Sequence, residues 1–159
     1  MNLFITSKCP IECAKFLDDK RVISQCKETG QMLASALRLH GYEGDDLPKL
    51  AHPNHPCTKW VAQTRMNYLW TVQHLQALCT EYTSRYGKHH KYEGMIVSLL
   101  AKAHHVPAGF QTPFANCAAN ASLGVSYKSM VDVTRAYQLY LNDRWDNDKR
   151  TPTWYGKSA

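Results

Sequence analysis

The chain has 159 residues, 44% of them hydrophobic, and a formal net charge of +6. That length suits one domain with a real core, and the basic balance favours polyanionic partners such as nucleic acid, nucleotides or an acidic membrane surface. No apolar run is long enough to span a membrane, and Met1-Asn2-Leu3-Phe4-Ile5 has neither the basic leader nor the long apolar stretch of a secretion signal, so no membrane association and a cytoplasmic location (host cytoplasm if the protein is viral) are expected.

In chain order, Leu3 to Thr6 reads as a short extended segment laid against the body. Pro10 suits a first helical turn, and a helical pattern runs from about Ile11 to His40, with an interruption near Asp18-Asp19, until Gly41 ends it. Gly41 to Pro56 is polar and rich in Gly, Pro and Asp, which marks a loop. A second helix is expected from Cys57 or Thr58 to about Tyr86, because Tyr68, Val72, Leu75, Cys79, Tyr82 and Tyr86 keep steps of three and four. Gly87 stops it. A short helix follows from Gly94 to His105, then an irregular segment from Pro107 to Gly124, then a third helix from Tyr127 to Asn142 with Met130, Thr134, Tyr137 and Leu141 inward. The tail from Trp145 is expected to dock on the body. The fold class is therefore mainly α: a compact single domain over residues 1–159 with three principal helices and long irregular loops.

The first helix carries the most informative feature. Val22, Cys26, Gly30, Leu33 and Leu37 form one apolar or small stripe, and Arg21, Ser24, Glu28, Gln31 and Ser35 form the opposite one. Glu28 is the only carboxylate between Asp19 and Glu43, with Lys20, Arg21, Lys27 and Arg38 around it. Taken alone, such a stripe is an ordinary solvated face. A lone acid in a positive field is also a group that stabilises a cation developing during a reaction.

The loop His52-Pro53-Asn54-His55-Pro56-Cys57 gathers two imidazoles and a thiol. It reads as a Pro-punctuated turn capping the second helix; a closed zinc site needs a fourth ligand that the sequence does not supply, so no metal and no cofactor are expected. The six cysteines are read as free thiols, with Cys26 and Cys79 packing as small hydrophobes. Lys59, Arg65, Arg85, Lys88 and Lys91 are interleaved with Trp60, Tyr68, Trp70, Tyr82, Tyr86 and Tyr92, the raw material for gripping phosphates and stacking bases. Of these, Tyr68, Tyr82 and Tyr86 belong to the inward stripe, while Trp70 and Lys91 are assigned to the surface.

Cys26-Lys27-Glu28-Thr29-Gly30-Gln31-Met32-Leu33, His55-Pro56-Cys57-Thr58-Lys59-Trp60, the run from Leu78 to Lys88, and Pro152-Thr153-Trp154-Tyr155-Gly156-Lys157 together resemble the pyrimidine-dimer DNA glycosylases of the endonuclease V type. The resemblance implies a mainly helical enzyme that bends DNA, displaces a base and cuts the glycosidic bond with an amine nucleophile assisted by one glutamate. By position it assigns that glutamate to Glu28 and the basic residue before it to Lys27. In the family the nucleophile is the α-amine of a small residue exposed on removal of the initiator Met. Here Asn2 is large enough to leave Met1 in place, and Gln31 stands where a second arginine is expected.

The resulting expectation is a DNA glycosylase with AP lyase activity on damaged or modified pyrimidines, with Glu28, Met1 and Lys27 as catalytic groups. Duplex DNA would meet Lys20, Arg21, Gln31, His55, Lys59 and Arg65, together with Lys88, Lys91 and the tail residues Trp154, Tyr155 and Lys157. The alternative is a non-catalytic nucleotide-binding protein, such as a phage-type sponge that sequesters a cyclic-nucleotide immune signal. A hydrolase built on a metal held by His52, His55 and Cys57 is a third reading. The sequence leaves the oligomeric state open.

Overall fold

The computed structural model describes residues 1–156, and within them the architecture is mainly α, with one two-stranded hairpin as its only sheet. Lys157 lies outside the described residues. The expected first helix is divided into α1, Pro10–Phe16, and α2, Asp19–Leu39. Leu17 and Asp18 between them are extended, which turns the Leu17 side chain fully into the core. The N–H groups of Arg21 and Val22 then bond to the Asp18 carbonyl and start α2.

The second expected helix is also two: α3, Pro56–Gln63, and α4, Arg65–Tyr86. Thr64 is extended between them; its side chain accepts the Asn67 N–H, while the Arg65 N–H goes to the Pro107 carbonyl at 2.7 Å. A threonine cap of this kind gives the chain a better partner than helix continuation would. Gly87, in the left-handed region at φ 67°, ends α4.

The two stripes meet as expected. Val22, Cys26, Leu33 and Leu37 of α2, and Tyr68, Val72, Leu75 and Cys79 of α4, are all at most 1% exposed. Gly30 permits close approach here: a Cβ at this position would run into Cδ1 of Tyr92. Trp70, assigned to the surface from sequence, is instead buried; its indole N–H donates to the Lys8 carbonyl at 2.9 Å, and its ring meets Trp60, His74 and Phe114. The faces of α4 covered by α1 and α3 extend its apolar contact beyond the single stripe that periodicity picks out.

Beyond Gly87, a 3-10 turn at Lys91–Met95, α5 at Ile96–Ala101 and a further 3-10 turn at Ala103–His105 replace the one short helix expected. A small hairpin, β1 Ala119–Asn120 with β2 Val125–Ser126, orders the end of the segment expected to be irregular. The last helix, α6, spans Val133–Asn147 and so begins later than Tyr127, because Asp132 accepts the Arg135 N–H as N-cap while Tyr127 to Met130 closes a turn. No helix of the described residues is long and apolar enough to cross a membrane.

The first residues and the tail up to Gly156 are tied into this body. Leu3, Phe4 and Ile5 are buried, and the Phe4 ring packs on Tyr137 and Tyr140 of α6. The tail docks as expected: the Asp19 carboxylate accepts from Thr153 Oγ1 at 2.6 Å and Gly156 N–H at 2.9 Å, and the Trp154 indole donates to the Phe16 carbonyl.

Candidate active site

A cavity of about 610 Å³ opens where the first turns of α2, the N-terminal segment, the start of α3, the hairpin and α6 converge. Successive turns of α2 place Lys20, Arg21, Ser24, Gln25 and Glu28 along it. Glu28, half-buried, has one oxygen, Oε2, that accepts hydrogen bonds from the Asn2 N–H and Gln25 Nε2, each at 3.1 Å, and forms an ion pair with the Met1 α-amine at 3.6 Å. No hydrogen bond from the described residues reaches its other oxygen. One oxygen therefore holds the N-terminus, and the other is available to a ligand in the cavity.

The N-terminus is held from its far side as well. Asn2 Oδ1 accepts from the Tyr137 hydroxyl at 2.6 Å and lies 3.7 Å from the Cys57 thiol, and Asn2 Nδ2 donates to the Cys117 carbonyl at 3.5 Å. The Cys117 N–H donates to the same Tyr137 hydroxyl. The Met1 thioether accepts from the Thr58 hydroxyl at 3.6 Å.

The opposite wall carries His55, Cys117, Lys128, Tyr140 and Arg144. His55 Nδ1 accepts the Cys57 N–H, the capping role expected of this turn. Burial, reinforced by the nearby Met1 ammonium, holds its imidazole below the ordinary value. The Cys117 thiol is drawn down to about 7, chiefly by its hydrogen bond with Cys57 and, against the effect of burial, by the Lys128 charge. The same pairing, together with burial, pushes the Cys57 thiol up.

The fold sorts the residues predicted from sequence. Met1, Lys20, Arg21, Glu28 and His55 come together at the cavity. Arg21, expected from sequence to meet DNA, is buried instead, with its Nη1 paired to Asp18 and Asp148 at 2.9 Å each and its buried Nη2 without a partner among the described residues. Burial pushes the Asp148 carboxyl up, but Arg21 and Lys20 outweigh it and hold the group below its usual range. Lys27 is exposed and does not line the cavity, one residue being about 100° around the helix from Glu28, and half-buried Gln31 does not line it either.

Lys59 is exposed at a separate hollow beside Trp60. Arg65 donates from Nε to the Val106 carbonyl and from Nη2 to the His104 carbonyl, each at 3.2 Å. Lys88 and Lys91 are exposed beyond α4, with Lys91 6.0 Å from the Tyr92 ring. Trp154 is half-buried in the docked tail, and Tyr155 is exposed.

Sequence reasoning missed Asn2, Gln25, Cys117, Lys128, Tyr140 and Arg144. Only Gln25 carried a local signal, being one helical turn before Glu28. The others lie in aperiodic chain or on the last helix.

A family model for pyrimidine dimer DNA glycosylases matches residues 1–94, which include Met1, Asn2, Gln25, Glu28, His55 and Cys57. The chain belongs to the pyrimidine dimer DNA glycosylase family. The wall built by Cys117, Lys128, Tyr140 and Arg144 comes from beyond the matched segment. No curated protein and no solved structure matches the chain.

Proposed function

We propose that this protein excises damaged or modified pyrimidines from duplex DNA through an amine nucleophile and Glu28, and then cuts the strand as an AP lyase. The observation that carries this reading is the convergence of the N-terminal nitrogens on the Glu28 carboxylate at the cavity: Met1 N at 3.6 Å and Asn2 N at 3.1 Å. Both nitrogens face the same oxygen, which supports an amine nucleophile beside Glu28 whether Met1 is retained or removed. Membership of a glycosylase family supports excision over sequestration of a nucleotide.

In the proposed reaction the neutral amine attacks C1′ of the target nucleotide, and the base leaves with the bonding electrons of the glycosidic bond. The oxocarbenium-like charge at the sugar is stabilised by the Glu28 carboxylate. The resulting aminal gives up a proton from nitrogen and opens: the C1′–O4′ bond breaks, O4′ takes a proton, and an iminium forms at C1′; Glu28 then removes a C2′ proton, and the 3′ phosphate departs from C3′ by elimination. Lys20, Lys128 and Arg144 supply positive charge around the cavity for the phosphates.

Incubation with damaged and abasic duplexes in the presence of borohydride tests the proposal, since reduction traps the imine. A DNA adduct on the N-terminal peptide is expected, and blocking the α-amine should abolish both adduct and excision. Glu28→Gln should lower excision by more than roughly a hundredfold while preserving DNA binding, because the amide keeps the shape and loses the charge. A wild-type protein that neither releases a base nor forms an adduct overturns the reading.

A further inference from the structure

We propose that His55, Cys57 and Cys117 form a binding site for a thiophilic divalent cation of the Zn²⁺ class, beside the Met1 amine and separate from the amine–carboxylate chemistry. Each residue offers one ligand atom, and the three atoms lie within 4.8 Å of one another. Around tetrahedral zinc, with Zn–S near 2.3 Å and Zn–N near 2.0 Å, ligand atoms sit roughly 3.5–3.8 Å apart, so a side-chain contraction on the order of 1 Å completes the set. From sequence the grouping was His52, His55 and Cys57; the fold puts Cys117, from a segment 60 residues after Cys57, with His55 and Cys57 instead.

The scaffold of the trio stands without the metal. His55 and Cys57 are fixed on the first turn of α3, where the imidazole caps the Cys57 N–H at 3.2 Å. Cys117 is fixed through its backbone, which bonds to the Tyr137 hydroxyl at 3.0 Å and to the Asn2 side chain. His55 and Cys117 both line the cavity, so the fourth coordination position opens into it. Three protein ligands with one open position is the arrangement of a metal that takes water or a substrate oxygen, whereas a structural zinc closes with four. Two thiolates also neutralise the dication, so occupancy adds no charge to a cavity already bordered by Lys20, Lys128 and Arg144.

A second trio, Cys26, Cys79 and His90, also lies within 4.8 Å, but its cysteines are 0% and 1% exposed in the seam between α2 and α4, and neither lines the Glu28 cavity or the hollow beside Trp60. It serves as the internal control.

The test uses the full chain, stripped of metal by chelator under reducing conditions and titrated with Co²⁺. One equivalent is expected to bind, with a thiolate-to-cobalt charge-transfer band and tetrahedral d–d bands that Zn²⁺ displaces. Cys117→Ser should weaken binding at least tenfold and diminish the charge-transfer band; His55→Gln should weaken binding while keeping the band; Cys79→Ser should leave both unchanged. Circular dichroism of each variant separates lost binding from lost fold. The proposal is overturned if fully reduced wild type gives no band, or if the band follows Cys79 in place of Cys117. The readout is spectroscopic and does not depend on excision, so this proposal and the glycosylase reading fail independently.

Discussion

His74 of α4 is fully buried, its Nδ1 against the Pro10 carbonyl at 3.0 Å and its Nε2 without a partner among the described residues. Burial pulls its imidazole down to about 4. The unfolded chain takes up this proton near 6.5, the folded chain only near 4, so between those values the unfolded state binds more protons and stability falls as pH falls. The full contribution is present above pH 6.5, and about 3 kcal/mol is lost on acidification through the window. Urea midpoints measured at pH 7 and pH 4.5 should show the fall, and His74→Phe, which keeps the ring beside Trp70, should flatten it. A variant with the full wild-type slope would assign the acid sensitivity to other groups. At this scale the sequence was informative about Glu28, whose isolation among basic residues is a local property, and misleading about Trp70, whose partner, the Lys8 carbonyl, lies 62 residues away in the chain.

The pairing of α2 with α4 is legible from sequence because burial on a helix repeats with the helical period, and both stripes carried that period. The breaks were not equally legible. Thr64 ends α3 and caps α4 in response to the Pro107 carbonyl and to Asn67, which bonds to the Trp60 carbonyl and to Thr112 at 2.8 Å each. Those partners are 45 residues apart in the case of Asn67 and Thr112, beyond the reach of any periodicity. The close approach of Tyr92, on the 3-10 turn, to Gly30 of α2 gives the prediction at this scale. Gly30→Ala should destabilise the protein by roughly 1–3 kcal/mol, the usual cost of overpacking, because its Cβ meets the Tyr92 ring. In thermal melts, Tyr92→Ala in the same chain should recover part of the loss, so that the double variant falls short of the sum of the two single ones. Strict additivity would place the cost in the helix itself.

For the whole molecule, the net charge of +6 and the cationic cavity predict that affinity for duplex DNA falls steeply with salt. Lys20→Gln with Lys128→Gln should reduce the slope of log affinity against log salt by about 2, since each lysine that neutralises a phosphate releases roughly one counterion. Binding titrations over a range of salt check this; an unchanged slope would put the DNA footprint elsewhere on the surface.

Length, charge and hydrophobic periodicity by themselves determined the helical class, the α2–α4 seam, the docked tail and the prominence of Glu28, because each is written in residues within a few turns of one another. The resemblance paired Met1 with Glu28, but only the tertiary structure decided what else faces that carboxylate. Met1 and Asn2 reach it across 26 to 27 residues, and Cys117, Lys128, Tyr140 and Arg144 close the cavity from aperiodic chain and the last helix. A site assembled from separate segments leaves no repeat in any one of them. Its geometry is fixed by packing at a distance, here by Phe4 on Tyr137 and Tyr140 and by the Tyr137 hydroxyl that holds Asn2 in place.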